Sequence, residues 1–234
     1  MKTKVLLYSG GMDSYILSHL EKPDICLYID VRGIYSKKER ENLIKPAHGK
    51  LIIDTLDIGK FERGDVLPMR NAYFILNAAQ YGEEIILGSV DGDRAYDNHS
   101  WCATLMEMVT NYIHQDKRLK DSRIKVRLPC KDKTKIQLLQ DFISSGGDPM
   151  FLYESVSCYD SELLHCGKCK ACVRKWVAMV HCNLNTEYLF TNDPQEYLEK
   201  MKPVEFISET EEHEAHQAVM LSKGILSHKE GASL

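Results

Sequence analysis

Two groups of residues have the types and spacing to do chemistry. The first is Ser9-Gly10-Gly11-Met12-Asp13-Ser14, directly after the apolar run Val5-Leu6-Leu7-Tyr8. Two glycines let a backbone approach a phosphate and take turns that a Cβ would block. A helix starting there offers unpaired N–H groups and the positive end of its dipole. Ser9 and Ser14 add hydroxyls, and Asp13 can cap the helix or help hold a magnesium ion. The pattern is neither the Walker A loop nor the dinucleotide fingerprint. Against a plain strand-to-helix turn, the whole run from Tyr8 to Ser14 reads as a loop that holds the phosphates of a nucleotide.

The second group is Cys158, Cys166, Cys169 and Cys172, four thiols within 15 residues. Gly167 beside Cys166 permits a tight turn. Four thiolates match a closed tetrahedral zinc site, with no open position for catalysis. An iron–sulfur cluster is the competing reading. His165 adjoins the group and could stand in for a ligand, but four cysteines suffice. Cys26, Cys102, Cys130 and Cys182 are scattered and read as buried small apolar residues. His213 and His216 do not form His-Glu-x-x-His and read as part of a solvated polar helix.

The elements that must position these residues alternate. Strands are expected at 5–8, 25–29, 51–53, 85–87 and 124–128. Helices are expected at 13–21, 37–47, 70–81, 101–113 and 132–144. Trp101, Leu105, Met108, Val109, Tyr112 and Ile113 share one stripe, and Ile136, Leu139, Phe142 and Ile143 should face inward. Such alternation implies a doubly wound α/β fold with a five-stranded parallel sheet. Ligands then bind beyond the carboxyl ends of the strands, which selects the loops 9–14, 30–36, 88–100 and 129–135. After the knuckle, Val173, Trp176, Val177 and Val180 share one face of a helix. From about Ser208 a solvated helix or loose tail is expected. The chain divides into a nucleotide-binding domain at 1–155 and a zinc-binding helical segment at 156–234.

Composition agrees. Of 234 residues, 44% are hydrophobic and 27% charged, enough apolar material for one substantial core. The formal net charge of −4 argues against a general nucleic-acid binder. No apolar run reaches the roughly 20 residues of a membrane span. The N-terminal apolar stretch is too short for a signal peptide. A soluble cytoplasmic protein is expected.

The loop at 9–14 resembles the pyrophosphate loop of the N-type ATP pyrophosphatases. Members of that superfamily activate a carbonyl or carboxylate with ATP and let a nucleophile displace the activating group. Joined to the cysteine knuckle, it looks like the 7-cyano-7-deazaguanine synthase family. Leu67-Pro68-Met69-Arg70-Asn71 is similar to that family's Val-Pro-Gly-Arg-Asn. Gly88 with Asp93 is similar to its Gly-x4-Asp loop, and Pro129 with Lys135 to its Pro-x5-Lys. Ser157-Cys158-Tyr159 and Cys166-Gly167-x-Cys169-x-x-Cys172-x-Arg174 match its knuckle.

The resemblance implies an adenine nucleotide alpha hydrolase-like sheet and a C-terminal zinc knuckle. It implies conversion of 7-carboxy-7-deazaguanine and ammonia to the nitrile, through an activated carboxylate and an amide. ATP, Mg2+ and a structural Zn2+ would take part. Lys135 and Arg70 would stabilise charge, and Asp30 would close the second strand near the nucleotide. A homodimer is implied, with no stable nucleic-acid partner and no membrane. Three stretches depart from the family pattern: 31–36 after the second strand, Met69 where the family has glycine, and the shortened Ala95-Tyr96-Asp97-Asn98. These lie where substrate should bind, so an amide-forming variant is the alternative.

Two rivals remain. A tRNA thiolation enzyme would need a basic RNA face and a catalytic cysteine, for which Cys102 and Cys130 are the candidates. A zinc-knuckle binding module would use Lys168, Lys170, Arg174 and Lys175 as a local basic face.

Overall fold

A computed structural model describes residues 2–64, 66–91, 93, 96–113, 123–160, 162–201 and 208–224. Ala95 and the tail stretches 202–207 and 225–234 lie outside the described residues. Strands β1 (Lys4–Leu7), β2 (Ile25–Asp30), β3 (Lys50–Thr55), β4 (Glu84–Ile86) and β5 (Lys125–Arg127) form one sheet. All its neighbours run parallel, in the order β3-β2-β1-β4-β5. Helices α1 (Met12–Leu20), α2 (Ser36–Glu41), α3 (Arg70–Ala78), α4 (Ser100–Ile113) and α5 (Lys135–Ser144) alternate with the strands. Helices α6 (Met150–Glu154), α7 (Lys170–His181), α8 (Pro194–Leu198) and α9 (Glu209–Ser222) follow.

The pleat sends alternate residues to opposite faces of the sheet. Leu6 lies between Cys26 and Ile86 in register. These three join one core with α1, α5, α7 and α9. Val5, Leu27, Ile85 and Leu87 point the other way and join α3 and α4. The central strands are therefore apolar on both faces, as a parallel sheet covered by helices requires. Strand order reverses between β1 and β4, so the loops leaving these two strands bound the crevice where such sheets take ligands.

Several elements differ from the sequence expectation. Helix α2 ends at Glu41, well before Ala47. Asn42 closes it by donating its side-chain amide to the Lys38 carbonyl at 2.9 Å. Leu43 and Ile44 then leave the helix to pack on the core. Helix α5 begins at Lys135, not Asp132, because Thr134 and Gln137 form a reciprocal capping box. Ile143 is 37% exposed, and Leu138 takes the inward place expected of it. Helix α9 is not purely solvated, since Ala215, Ala218 and Leu221 are buried against the core with α7.

The stripe on α4 faces outward. Trp101 is 72% and Tyr112 75% exposed, with Leu105, Met108, Val109 and Ile113 beside them. The inner face sets Ala103 and Met106 on the core and adds polar contacts to β5: Glu107 accepts the Val126 N–H at 3.0 Å, and Asn111 exchanges two hydrogen bonds with Ile124. Periodicity showed a helix with an apolar face but not which way that face points. Among the described residues, no helix is long and apolar enough to cross a membrane.

Candidate functional site

The loop after β1 is shaped by its glycines. Gly10 has φ +73°, and a Cβ there would stand 3.0 Å from the Leu43 side chain. Gly11 is the N-cap of α1 in an extended conformation, with no side-chain cap. Asp13 therefore does not cap the helix; it sits in the first turn. The serines build the loop from within. Ser14 donates to the Gly11 carbonyl at 3.0 Å, and the Ser9 hydroxyl accepts the Gly11 N–H at 3.3 Å. Tyr8 is buried and donates its hydroxyl to the Ile44 carbonyl at 3.1 Å.

Lys135, the first residue of α5, reaches this loop and pairs through its Nζ with the Asp13 carboxylate. The loops after β1 and β5 thus meet across 122 residues of sequence. The other Asp13 oxygen, Oδ1, is buried with no hydrogen-bond partner among the described residues. A carboxylate with one oxygen on an ammonium and the other buried and bare has capacity for a cation or water. This donor set fits magnesium, a hard cation that takes one or two carboxylates beside phosphate oxygens.

Lys175, one of the four cations of the expected basic face, is only 2% exposed. Its Nζ donates to the Ser155 carbonyl at 2.6 Å and the Ser155 hydroxyl at 3.2 Å. Burial pushes its ammonium down to about 7, and the Lys135 charge adds to this. No feature of its neighbours in sequence separates it from Lys168 or Lys170. Arg174 is likewise engaged, on Asp93 at 3.2 Å and Glu211 at 3.3 Å. Lys170 and Arg174 both meet Glu211 while Lys175 is buried on Ser155, so the expected basic face does not form as one exposed patch.

The remaining predicted residues lie around this crevice. Asp30 ends β2, is buried, and accepts the Arg32 N–H at 2.9 Å, which fixes the left-handed turn at Arg32. Its other oxygen is 3.5 Å from Arg40. Arg70 opens α3 on the exposed side; near it, burial pushes the Glu39 carboxyl up, and the Arg70 charge only partly offsets this. The structure does not bring Asp30 or Arg70 into contact with Lys135. Met69, where the resembling family has glycine, is itself left-handed at φ 58°. Asn71 accounts for the segment that follows. Its N–H donates to the Asp97 carboxylate at 3.1 Å and its side chain to Asn98. Ser89 donates to the Asn98 carbonyl at 2.9 Å. Asp93 folds the loop after β4 by accepting the Val90 N–H at 3.0 Å.

The four cysteines converge. The Sγ atoms of Cys158, Cys166, Cys169 and Cys172 all lie within 4.8 Å of one another. Two of these separations are 4.0 Å. A tetrahedron with Zn–S near 2.3 Å sets sulfurs about 3.8 Å apart, so the cluster fits zinc. Backbone N–H groups of Asp160 and Cys166 donate to Cys158 Sγ, and Lys168 N–H to Cys166 Sγ, each at 3.3 Å. Gly167 has φ +75°, and a Cβ there would meet the Asn192 carbonyl at 1.8 Å, so no other residue fits. His165 is not a ligand; its Nε2 lies 3.2 Å from the Tyr153 carbonyl.

Two side chains dock the knuckle: Lys38, which sequence reasoning did not single out, and Ser157, which it named only within the Ser157-Cys158-Tyr159 motif. Lys38, from α2, is buried and donates to the carbonyls of Cys158 at 3.1 Å, Asp160 at 2.5 Å and Leu163 at 2.6 Å. Ser157 accepts the Met12 N–H at 3.4 Å, so the residue before the first cysteine touches the first turn of α1. The cysteine cluster and the glycine loop are thereby one assembly.

Residues 59–183, more than half of the chain, match the family described as "Queuosine biosynthesis protein QueC". The chain is also similar to "7-cyano-7-deazaguanine synthase 1" of Sulfurisphaera tokodaii, at 27% identity over 214 residues. That similarity covers 83% of this chain and 97% of the relative.

Proposed function

The chain belongs to the queuosine biosynthesis protein QueC family, and from that premise we propose that it makes 7-cyano-7-deazaguanine from 7-carboxy-7-deazaguanine and ammonia at the expense of ATP. The name of the Sulfurisphaera tokodaii relative supports the product. The observation that carries the ATP reading is the meeting of Lys135 with Asp13 at the glycine loop, with one Asp13 oxygen left buried and bare.

On this reading Tyr8 to Ser14 hold the phosphates, and Asp13 holds magnesium. Lys135 carries positive charge to the same point, and Arg70 faces the substrate side. Asp30 keeps the loop after β2 in place beside the nucleotide. A carboxylate is a poor electrophile, and activation by ATP turns one of its oxygens into part of a leaving group. Ammonia then displaces that group to give the amide. A second activation, of the amide oxygen, followed by its loss and loss of protons from nitrogen, gives the nitrile. The chain's own contribution is to align the two reactants and to neutralise phosphate charge in a site prepared beforehand. The four cysteines hold zinc as a structural ion, which anchors the segment that supplies Ser157 and Lys175.

The reaction's substrates are small polar metabolites, and the cytoplasm is the proposed location. A homodimer is the proposed assembly, supported by the outward stripe of α4. Its six exposed apolar side chains offer on the order of 700 Å² per copy, since a buried aromatic alone covers about 150–250 Å². That is close to the roughly 800 Å² per partner of a standard interface. The one charged residue of α4, Glu107, is turned inward to β5, so two copies would meet without like-charge repulsion.

The thiolation alternative is disfavoured by its candidate cysteines. Burial pushes Cys130 up to about 12 and also raises Cys102, whereas a reactive cysteine needs a lowered pKa. Mass spectrometry of the products from carboxy-deazaguanine, ATP and ammonia tests the proposal. Nitrile is expected, accumulation of amide alone would reassign the chain as an amide-forming variant, and neither product would sink the substrate assignment.

A further inference from the structure

We propose that Glu211, in the first turn of the C-terminal helix α9, is a positioning residue that fixes the loop after β4 by way of Arg174. It extends the reading above, but its first test does not depend on turnover. Arg174 stands on α7 with both terminal guanidinium nitrogens hydrogen-bonded and Nε in an ion pair. Nε is 3.3 Å from Glu211 Oε1, Nη1 is 3.2 Å from Asp93 Oδ1, and Nη2 donates to the Asp91 carbonyl at 3.2 Å. A planar fork with three anchors in different directions has one orientation that satisfies them all.

Glu211 is itself held. Ser208 caps α9 by accepting the Glu211 N–H at 3.1 Å, and Lys170 stands 3.7 Å from Glu211 Oε2. Helix α9 is pressed on the core through Ala215, Ala218 and Leu221, and His181 meets the Glu214 carbonyl at 2.8 Å. The guanidinium therefore has a rigid anchor on one side and a loop on the other. That loop begins at Gly88, beside β1's glycine loop, where strand order reverses and a ligand should sit. Without the Glu211 carboxylate, Nε loses its charged partner and the long Arg174 side chain regains rotamers. Asp93 and Asp91 then lose a fixed tether. Glu211 lies outside the stretch matched by the family model, residues 59–183. It thus adds to the site a residue that the family match does not supply.

Hydrogen exchange on the full chain tests this. In Glu211→Gln, backbone exchange in 88–93 is expected to rise about threefold or more, with α7 and α9 unchanged, because a local tether and not a fold is lost. Glu211→Asp should restore protection in large part. Arg174→Lys, which keeps charge but removes the fork, should loosen the same loop. Unchanged exchange at 88–93 in either Glu211→Gln or Arg174→Lys overturns the proposal, as does equal loosening of α7 and α9. In the kinetic arm, Glu211→Gln should raise KM for the carboxylated base about tenfold and leave kcat within about twofold. A fall in kcat with unchanged KM contradicts a positioning role. If the chain turns over neither amide nor nitrile, the substrate reading fails while the exchange result still decides the tether.

Discussion

The Lys135 ammonium rests on the Asp13 carboxylate, which joins the first turn of α5 to the first turn of α1 across the carboxyl edge of the sheet. Both groups are largely shielded, so each charge is held in place by the other. Lys135→Met and Asp13→Asn should each lower ATP-dependent turnover about 100-fold or more, the scale of losing one preorganised charge contact. The double variant should be little worse than either single one, since the two act as a unit. Steady-state kcat of the four proteins measures this. Additive losses would separate the two roles.

The knuckle should carry one zinc per chain, and its hold on the metal should depend on Lys38. The carbonyls of Cys158, Asp160 and Leu163 converge on that ammonium, and Lys38→Met removes their shared donor, the Cys158 contact being buried. Outer contacts of this kind change metal affinity about 10- to 100-fold. Competition with a chromophoric chelator reads the difference, and equal affinity would refute it.

Met69 takes a left-handed conformation that disfavours any side chain, and it is 64% exposed, so little packing is at stake. Met69→Gly should therefore stabilise the fold by about 1 kcal/mol, the lower end of the left-handed penalty. Urea unfolding should show a higher midpoint with unchanged slope. A lower midpoint would mean that the Met69 side chain contributes more by contact than the backbone loses.

Asp54 on β3 accepts hydrogen bonds from the Tyr81 hydroxyl at 2.8 Å and the Asn77 amide at 3.1 Å. The tyrosine bond, then the amide and the Thr55 N–H, hold its carboxyl below the ordinary 3.8. A depressed folded value means that the stabilisation is full above 3.8 and is lost as pH falls through the folded value. Tyr81→Phe should cost about 1 kcal/mol at pH 7. That difference should shrink below pH 3.8. Urea midpoints of both proteins against pH decide it, and a constant difference would argue against the ionised carboxylate as the acceptor that matters.

The outward stripe of α4 should hold two copies together. Met108→Lys and Tyr112→Glu place charge on an otherwise uncharged face and should give a monomer by light scattering, with the secondary structure intact. A dimer that survives both substitutions would have its interface elsewhere.

Much of the site was legible in the sequence because local chemistry fixed it. Gly10 and Gly11 declared a backbone that must turn tightly before a helix, and the helix follows. Gly167 declared a knuckle, and its φ and its crowding by Asn192 bear this out. Three short cysteine spacings allowed few geometries other than convergence, and the sulfurs do converge. Alternating apolar runs gave a parallel sheet, because only strands covered on both faces read that way.

What the residues could not declare is which partner each long side chain finds. Lys38, Lys135 and Lys175 look alike in sequence. One binds three carbonyls of the knuckle, one meets Asp13, and one is buried on Ser155. Those destinations depend on contacts more than 100 residues away for the first two, which only the packing of helices on the sheet brings near. The direction of the α4 stripe is of the same kind. A helical period sets which residues share a face, while the polar contacts of Glu107 and Asn111 with β5 decide that this face turns to solvent. The sequence alone thus determined the loop, the knuckle and the sheet, whose causes are local. The tertiary structure alone decided the ion pairs that join them, because a charge commits to a partner only when the fold has removed the water that would otherwise serve it.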